Sequence, residues 1–143
     1  PAVTKITIPR HVHFALDKST LSPASTQVLA EIVRVLTADP TISIDLAGHT
    51  DPRAPQAYNQ ALGMRRAVTV RNYLLKHGIS PQRMTIRSLG FSQRRSNERG
   101  VQPYALVGVA SPVENRRVEL EYRDLRGGEL EIIERLDDLQ PEQ

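Results

Sequence analysis

The sequence predicts an α/β two-layer sandwich of the α+β type, a β-α-β-α-β-β chain whose mixed sheet carries its helices on one face. Three observations predict it. Ile42, Ile44 and Leu46 alternate with Ser43, Asp45 and Ala47, the period of a half-buried strand. Val28, Leu29, Ile32, Val33, Val35 and Leu36 recur at three and four residues, which is one face of a helix. A second helical run extends from Gln56 to His77, where Gly78 stands in the position of a C′ residue. A chain of 143 residues has the length of one domain. Residues 1–126 are read as that domain and 127–143 as an acidic tail.

Taken in order, Val12–Leu16 is short and β-prone. Ser22 then offers an N-cap and Pro23 a first helical residue, so the first helix spans 23–38 and stops before Asp39-Pro40. Gly48 closes the strand that starts at Ile42, and a loop with Asp51, Pro52 and Pro55 precedes the second helix. Met84, Ile86 and Ser88 mark a third strand before Gly90. Residues 92–114 hold Arg94, Arg95 and Arg99 without a sustained period and read as a long irregular excursion. Arg117–Tyr122 alternates again, with Val118, Leu120 and Tyr122 on one face. The Gly127-Gly128 pair then breaks the chain ahead of the tail, expected as a disordered spacer, a helix on the basic body or a protein-contact segment.

The formal charge is +3 and unevenly divided: residues 129–143 carry six acidic groups against Arg135, a balance of −5 that leaves +8 on 1–128. A basic body suits an anionic partner, whether nucleic acid, a membrane surface or a cell-wall polymer. Nucleic acid is not expected, because aromatic residues make up 4% of the chain and there is no Trp to stack on bases. The absence of Cys removes disulfides, thiolate nucleophiles and Cys-ligated metals. No run approaches the roughly 18 to 20 apolar residues of a membrane span. Starting at Pro1 with no signal-like region, the sequence reads as mature or cut from a longer protein. No Ser-His-Asp pattern or carboxylate pair stands out, so an enzyme is not expected. His49 with Asp51, or His11 with His13 on one strand face, is the sharpest metal alternative, but two ligands at such spacing are weak evidence and no cofactor is assigned. His77, at a helix end, is explained by the macrodipole.

On the second helix Arg65, Thr69, Asn72 and Lys76 recur at four, three and four residues and form the solvated face. Arg66 lies about 100° round from that stripe, in line with Leu62, Val70, Tyr73 and Asn59. A guanidinium among apolar neighbours needs a partner. It can snorkel, pair internally with Asp51 or Asp45, or meet a ligand. Asp51 stands after a strand end, where loops gather ligand-contacting side chains, although a turn-stabilising or capping aspartate is the commoner outcome.

Gly48-His49-Thr50-Asp51, then Tyr58-Asn59, Leu62 and Arg66-Ala67, and finally Asn115-Arg116-Arg117-Val118 resemble the signature of the OmpA-like C-terminal domain: G-H-T-D, Y-N-x-x-L-S-x-x-R-A and N-R-R-V. The resemblance covers about Val12–Tyr122 in the right order. It implies a periplasmic module of the Gram-negative-type envelope that binds peptidoglycan non-covalently. Asp51 would meet the ammonium, and Arg66 the carboxylate, at the free end of diaminopimelate in the stem peptide. That ligand end is a zwitterion and requires one anion and one bidentate cation. By position in the family pattern Asn59 and Leu62 line the site, Thr50 shapes its loop and Asp17 sits at its rim. Asn115 and Arg117 are expected to organise the end of the fold rather than touch ligand. Other envelope proteins are further candidate partners, and any membrane contact would come through a part of the protein outside these residues. Two departures stand out. Ala54 replaces the Gly that commonly follows the motif Asp by three positions, and Gly63 replaces the usual Ser of L-S.

Overall fold

The computed structural model describes residues 3–15, 17–50, 55–90 and 116–133. Its elements are β1 (Val3–Thr7), β2 (His11–His13), α1 (Pro23–Ala38), β3 (Ile42–His49), α2 (Gln56–Lys76), a 3-10 turn (Pro81–Arg83), β4 (Met84–Gly90), β5 (Arg117–Asp124) and β6 (Glu129–Ile133). Strands β2, β5, β3 and β4 form one mixed sheet in that spatial order. Only the β3–β4 pair is parallel, as a strand–helix–strand crossover through α2 requires.

Helix α1 begins as its sequence dictates: Ser22 Oγ accepts from the Ser25 amide at 3.1 Å, with Pro23 in the first turn. Ser25 then donates to the His13 carbonyl at 2.7 Å, which docks the start of α1 on β2. The core lies between helices and sheet. Leu29, Ile32 and Leu36 of α1 and Ala67, Val70 and Leu74 of α2 are buried with Ile42, Ile44 and Leu46 of β3 and Val118 and Leu120 of β5. Register keeps the apolar faces together, since Ile44 pairs with Tyr122 and Leu46 with Leu120.

Gly48 does not close β3, which runs on through His49. Its need for glycine is steric: a Cβ on Gly48 would lie 1.9 Å from the Gly63 carbonyl oxygen of α2, so the two glycines let helix and strand backbones touch. Position 63 is crowded from a second direction. A Cβ there would meet Ser88 Oγ at 2.4 Å, and that hydroxyl is already donated to the Gln60 carbonyl at 2.7 Å.

Two strands were not expected from the sequence. After Gly127-Gly128 the chain forms β6, which pairs in parallel with β1, Val3 opposite Glu129 and Thr7 opposite Ile133. The acidic run hides a period of two: Leu130 and Ile132 pack on the core while Glu129 and Glu131 stay exposed. A helix over 129–133 is thereby ruled out. The excursion at 92–114 with Arg94, Arg95 and Arg99, and the tail from residue 134, lie outside the described residues. Among those described, no helix is long and apolar enough to cross a membrane.

Candidate functional site

Arg66 is 1% exposed, the largest fully buried side chain among the described residues. Its Nε donates to the Lys18 carbonyl at 2.8 Å, Nη1 to His49 at 2.8 Å and Nη2 to Ala15 at 3.2 Å, and the guanidinium carbon sits 5.4 Å from the centre of the Phe14 ring. A planar fork with donors in several directions is the group that can bond three divergent carbonyls at once. The pairing with Asp45 entertained from the sequence does not occur. Asp45 alternates with Ile44 and Leu46, so it points to the sheet face away from α2, where Thr85 donates to it at 2.6 Å and Arg87 at 2.9 Å.

Around Arg66 the fold gathers most of the residues singled out by the motifs. Leu62 and Asn59 lie one and two turns before it on the buried face of α2. Thr50 follows His49, whose carbonyl Arg66 holds; it is 2% exposed and its hydroxyl has no hydrogen-bond partner among the described residues. Asp17 lies between Ala15 and Lys18, the two residues of the β2–α1 connection that Arg66 bonds. Asp51 and the Pro52–Ala54 segment lie outside the described residues, as does Asn115. Arg116 and Arg117 are buried, and Arg116 Nε donates to the Phe14 carbonyl at 2.9 Å, an end-of-fold contact.

The connection from β2 to α1 is stapled to α2. Lys18 donates its amide to Ala15 at 3.1 Å, closing a turn, and Thr69 donates to the Ser19 carbonyl at 2.7 Å. Tyr58 donates its hydroxyl to Asp17. That bond, followed by burial and the Asp17 charge, raises the Tyr58 phenol above the usual tyrosine range. Tyr58 and Phe14 were not anticipated as parts of the site. For Tyr58 the available signal was its place in the Tyr-Asn motif; the carbonyls that hold Arg66 carry no side-chain signature at all.

Behind β3, on the sheet face away from the helices, Glu119 sits between two buried imidazoles. His11 Nε2 lies 3.6 Å from one carboxylate oxygen and His49 Nε2 3.5 Å from the other, with Arg117 at 3.9 Å. His11 and His49 drive the Glu119 carboxyl far below the usual range, Arg117 assisting. His11 and His13 do share one strand face, ring centres 6.1 Å apart, but His11 is directed at Glu119.

The sequence and the fold are similar to those of known proteins. The OmpA family model matches residues 13–102. Outer membrane porin F of Pseudomonas fluorescens is 34% identical over 95 residues, 66% of this chain and 28% of that protein. The peptidoglycan-associated lipoprotein of Pseudomonas aeruginosa is 34% identical over 109 residues, 76% of this chain and 60% of that one. The chain thus spans less than two thirds of either relative's length. The crystal structure of the peptidoglycan-associated lipoprotein from Burkholderia pseudomallei shares the fold, with a TM-score of 0.68 at 28% identity over 80% of this chain and 90% of that one. With more than half of its length matched by the family model, the chain belongs to the OmpA family.

Proposed function

We propose that this domain is a non-catalytic anchor that binds peptidoglycan through diaminopimelate in the stem peptide, holding an envelope protein or assembly to the cell wall from the periplasmic side. The name of its relatives, peptidoglycan-associated lipoprotein, supports the polymer. The observation that carries the reading is Arg66, a buried cation fixed between the β2–α1 turn and the residue that ends β3, two positions before Asp51 in the chain.

In this reading Arg66 takes the ligand carboxylate and Asp51 its ammonium. Thr50 supplies a hydroxyl that a ligand can satisfy, which matters because a buried unsatisfied hydroxyl costs about 1–3 kcal/mol. Asn59 and Leu62 wall the site, and Asp17 stands at its rim. Lysine-type stems lack the second carboxylate and leave the cation unmatched, a loss of roughly 2–5 kcal/mol. Repeated stems along the polymer add retention by avidity.

Co-sedimentation with purified sacculi tests the proposal. The protein should pellet with diaminopimelate-type sacculi and remain in solution with lysine-type ones, and Asp51→Asn and Arg66→Ala should each lose retention on the diaminopimelate-type wall. Equal retention on both wall types, or undiminished binding by Asp51→Asn, would overturn it.

A further inference from the structure

We infer that Tyr58 is a positioning residue of the stem-peptide site, its hydroxyl holding one carboxylate oxygen of Asp17 so that the other is presented to an N–H donor on the ligand. The inference rests on the reading of the site given above.

Asp17 has φ of 57°, the only positive value at a non-glycine among the described residues. Aspartate visits that left-handed region at modest cost, and it persists where neighbouring structure enforces it. Here the enforcement is explicit. The backbone on both sides of Asp17 is pinned to α2 through Ala15 and Lys18, each bonded by Arg66, and the turn is closed by its own Lys18 to Ala15 bond. What remains free is the Asp17 side chain, and Tyr58 takes hold of it.

Nothing in the core requires a tyrosine at position 58, which is 42% exposed. Arg65 also lies against Tyr58, its guanidinium carbon 5.8 Å from the ring centre. An exposed hydrogen bond of this kind contributes little to folding, so its consequence is expected in binding. Ordering one side chain before the ligand arrives changes affinity by roughly threefold to tenfold.

Two functions are thereby separated within α2. Arg66 places the turn, so its removal disturbs fold and site together, whereas Tyr58→Phe deletes one hydroxyl and keeps the ring. Its effect should therefore fall on affinity alone.

The test is calorimetric titration of the full chain with a soluble diaminopimelate-containing stem tetrapeptide, using wild type, Tyr58→Phe, Asp17→Asn and the double variant. Tyr58→Phe and Asp17→Asn should each weaken binding roughly threefold to tenfold, and the double variant should bind no worse than Asp17→Asn alone. Melting temperature and the preference over a lysine-containing tetrapeptide should be unchanged in Tyr58→Phe. The Tyr58 phenol, followed by NMR titration of the free protein, should ionise at lower pH in Asp17→Asn than in wild type. Tyr58→Phe binding as wild type, or a double variant weakened by the product of the single effects, overturns the role of Tyr58 and leaves the site itself standing. Wild type that ignores the tetrapeptide overturns both.

Discussion

The Nη1 of Arg66 donates to the carbonyl of His49 at 2.8 Å, tying the middle of α2 to the last residue of β3. With the bonds to Ala15 and Lys18, one side chain joins three chain segments. Arg66→Lys keeps the charge but replaces a fork by a point, which cannot reach three carbonyls held in different directions. Urea unfolding should show Arg66→Lys destabilised by about 2–4 kcal/mol. A loss below about 0.5 kcal/mol would mean that charge alone suffices at this position.

The Gly48–Gly63 contact predicts an asymmetric pair of mutants. Gly48→Ala drives a methyl to 1.9 Å from a backbone oxygen, and neither helix nor strand can yield cheaply, so its cost should reach about 3 kcal/mol or more. Gly63→Ala meets the Ser88 hydroxyl at 2.4 Å, which can rotate away at the cost of its bond to Gln60. Its cost should be about 1–2 kcal/mol. Adding Ser88→Ala should recover part of that loss in thermal or urea unfolding, while doing nothing for Gly48→Ala.

Glu119 predicts the acid limb of stability. Its carboxyl is depressed in the folded state, so its contribution is fully present above the ordinary value of 4.5 and is lost as pH falls below it. Urea midpoints measured from about pH 7 to about pH 3 should therefore fall more steeply in wild type than in Glu119→Gln. The gap between them should be largest near neutrality and close on the acid side. Parallel curves would show that the two imidazoles do not stabilise the carboxylate.

Much of the fold was legible from the chain. Ser22-Pro23 and the three-and-four spacing placed α1, and the alternation at Ile42–Leu46 placed β3, because local hydrogen bonding and one-sided burial act within a few residues. What was not legible depended on distant partners. β6 needed β1, more than a hundred residues away, and its short alternation was masked by acidic side chains that happen to face solvent. Gly48 read as a stop because a glycine's neighbour across a packing contact leaves no mark in its own segment.

For the site, periodicity showed that Arg66 lay off the polar face of α2, and it is buried there. It did not show what satisfies the guanidinium, since Asp45 is claimed by Arg87 and the acceptors are main-chain oxygens. The Tyr58–Asp17 bond spans 41 residues between a turn and a helix and has no periodic signature.

The central claim is that the paired charges of Asp51 and Arg66 select a stem peptide by its extra carboxylate. The most direct measurement is the ratio of dissociation constants for two soluble tetrapeptides that differ only in diaminopimelate against lysine. A ratio of about thirtyfold or more in favour of diaminopimelate is predicted, the factor that corresponds to about 2 kcal/mol, with Asp51→Asn weakening both peptides, since both carry the ammonium that Asp51 meets. Equal affinities in the wild-type protein would contradict the account.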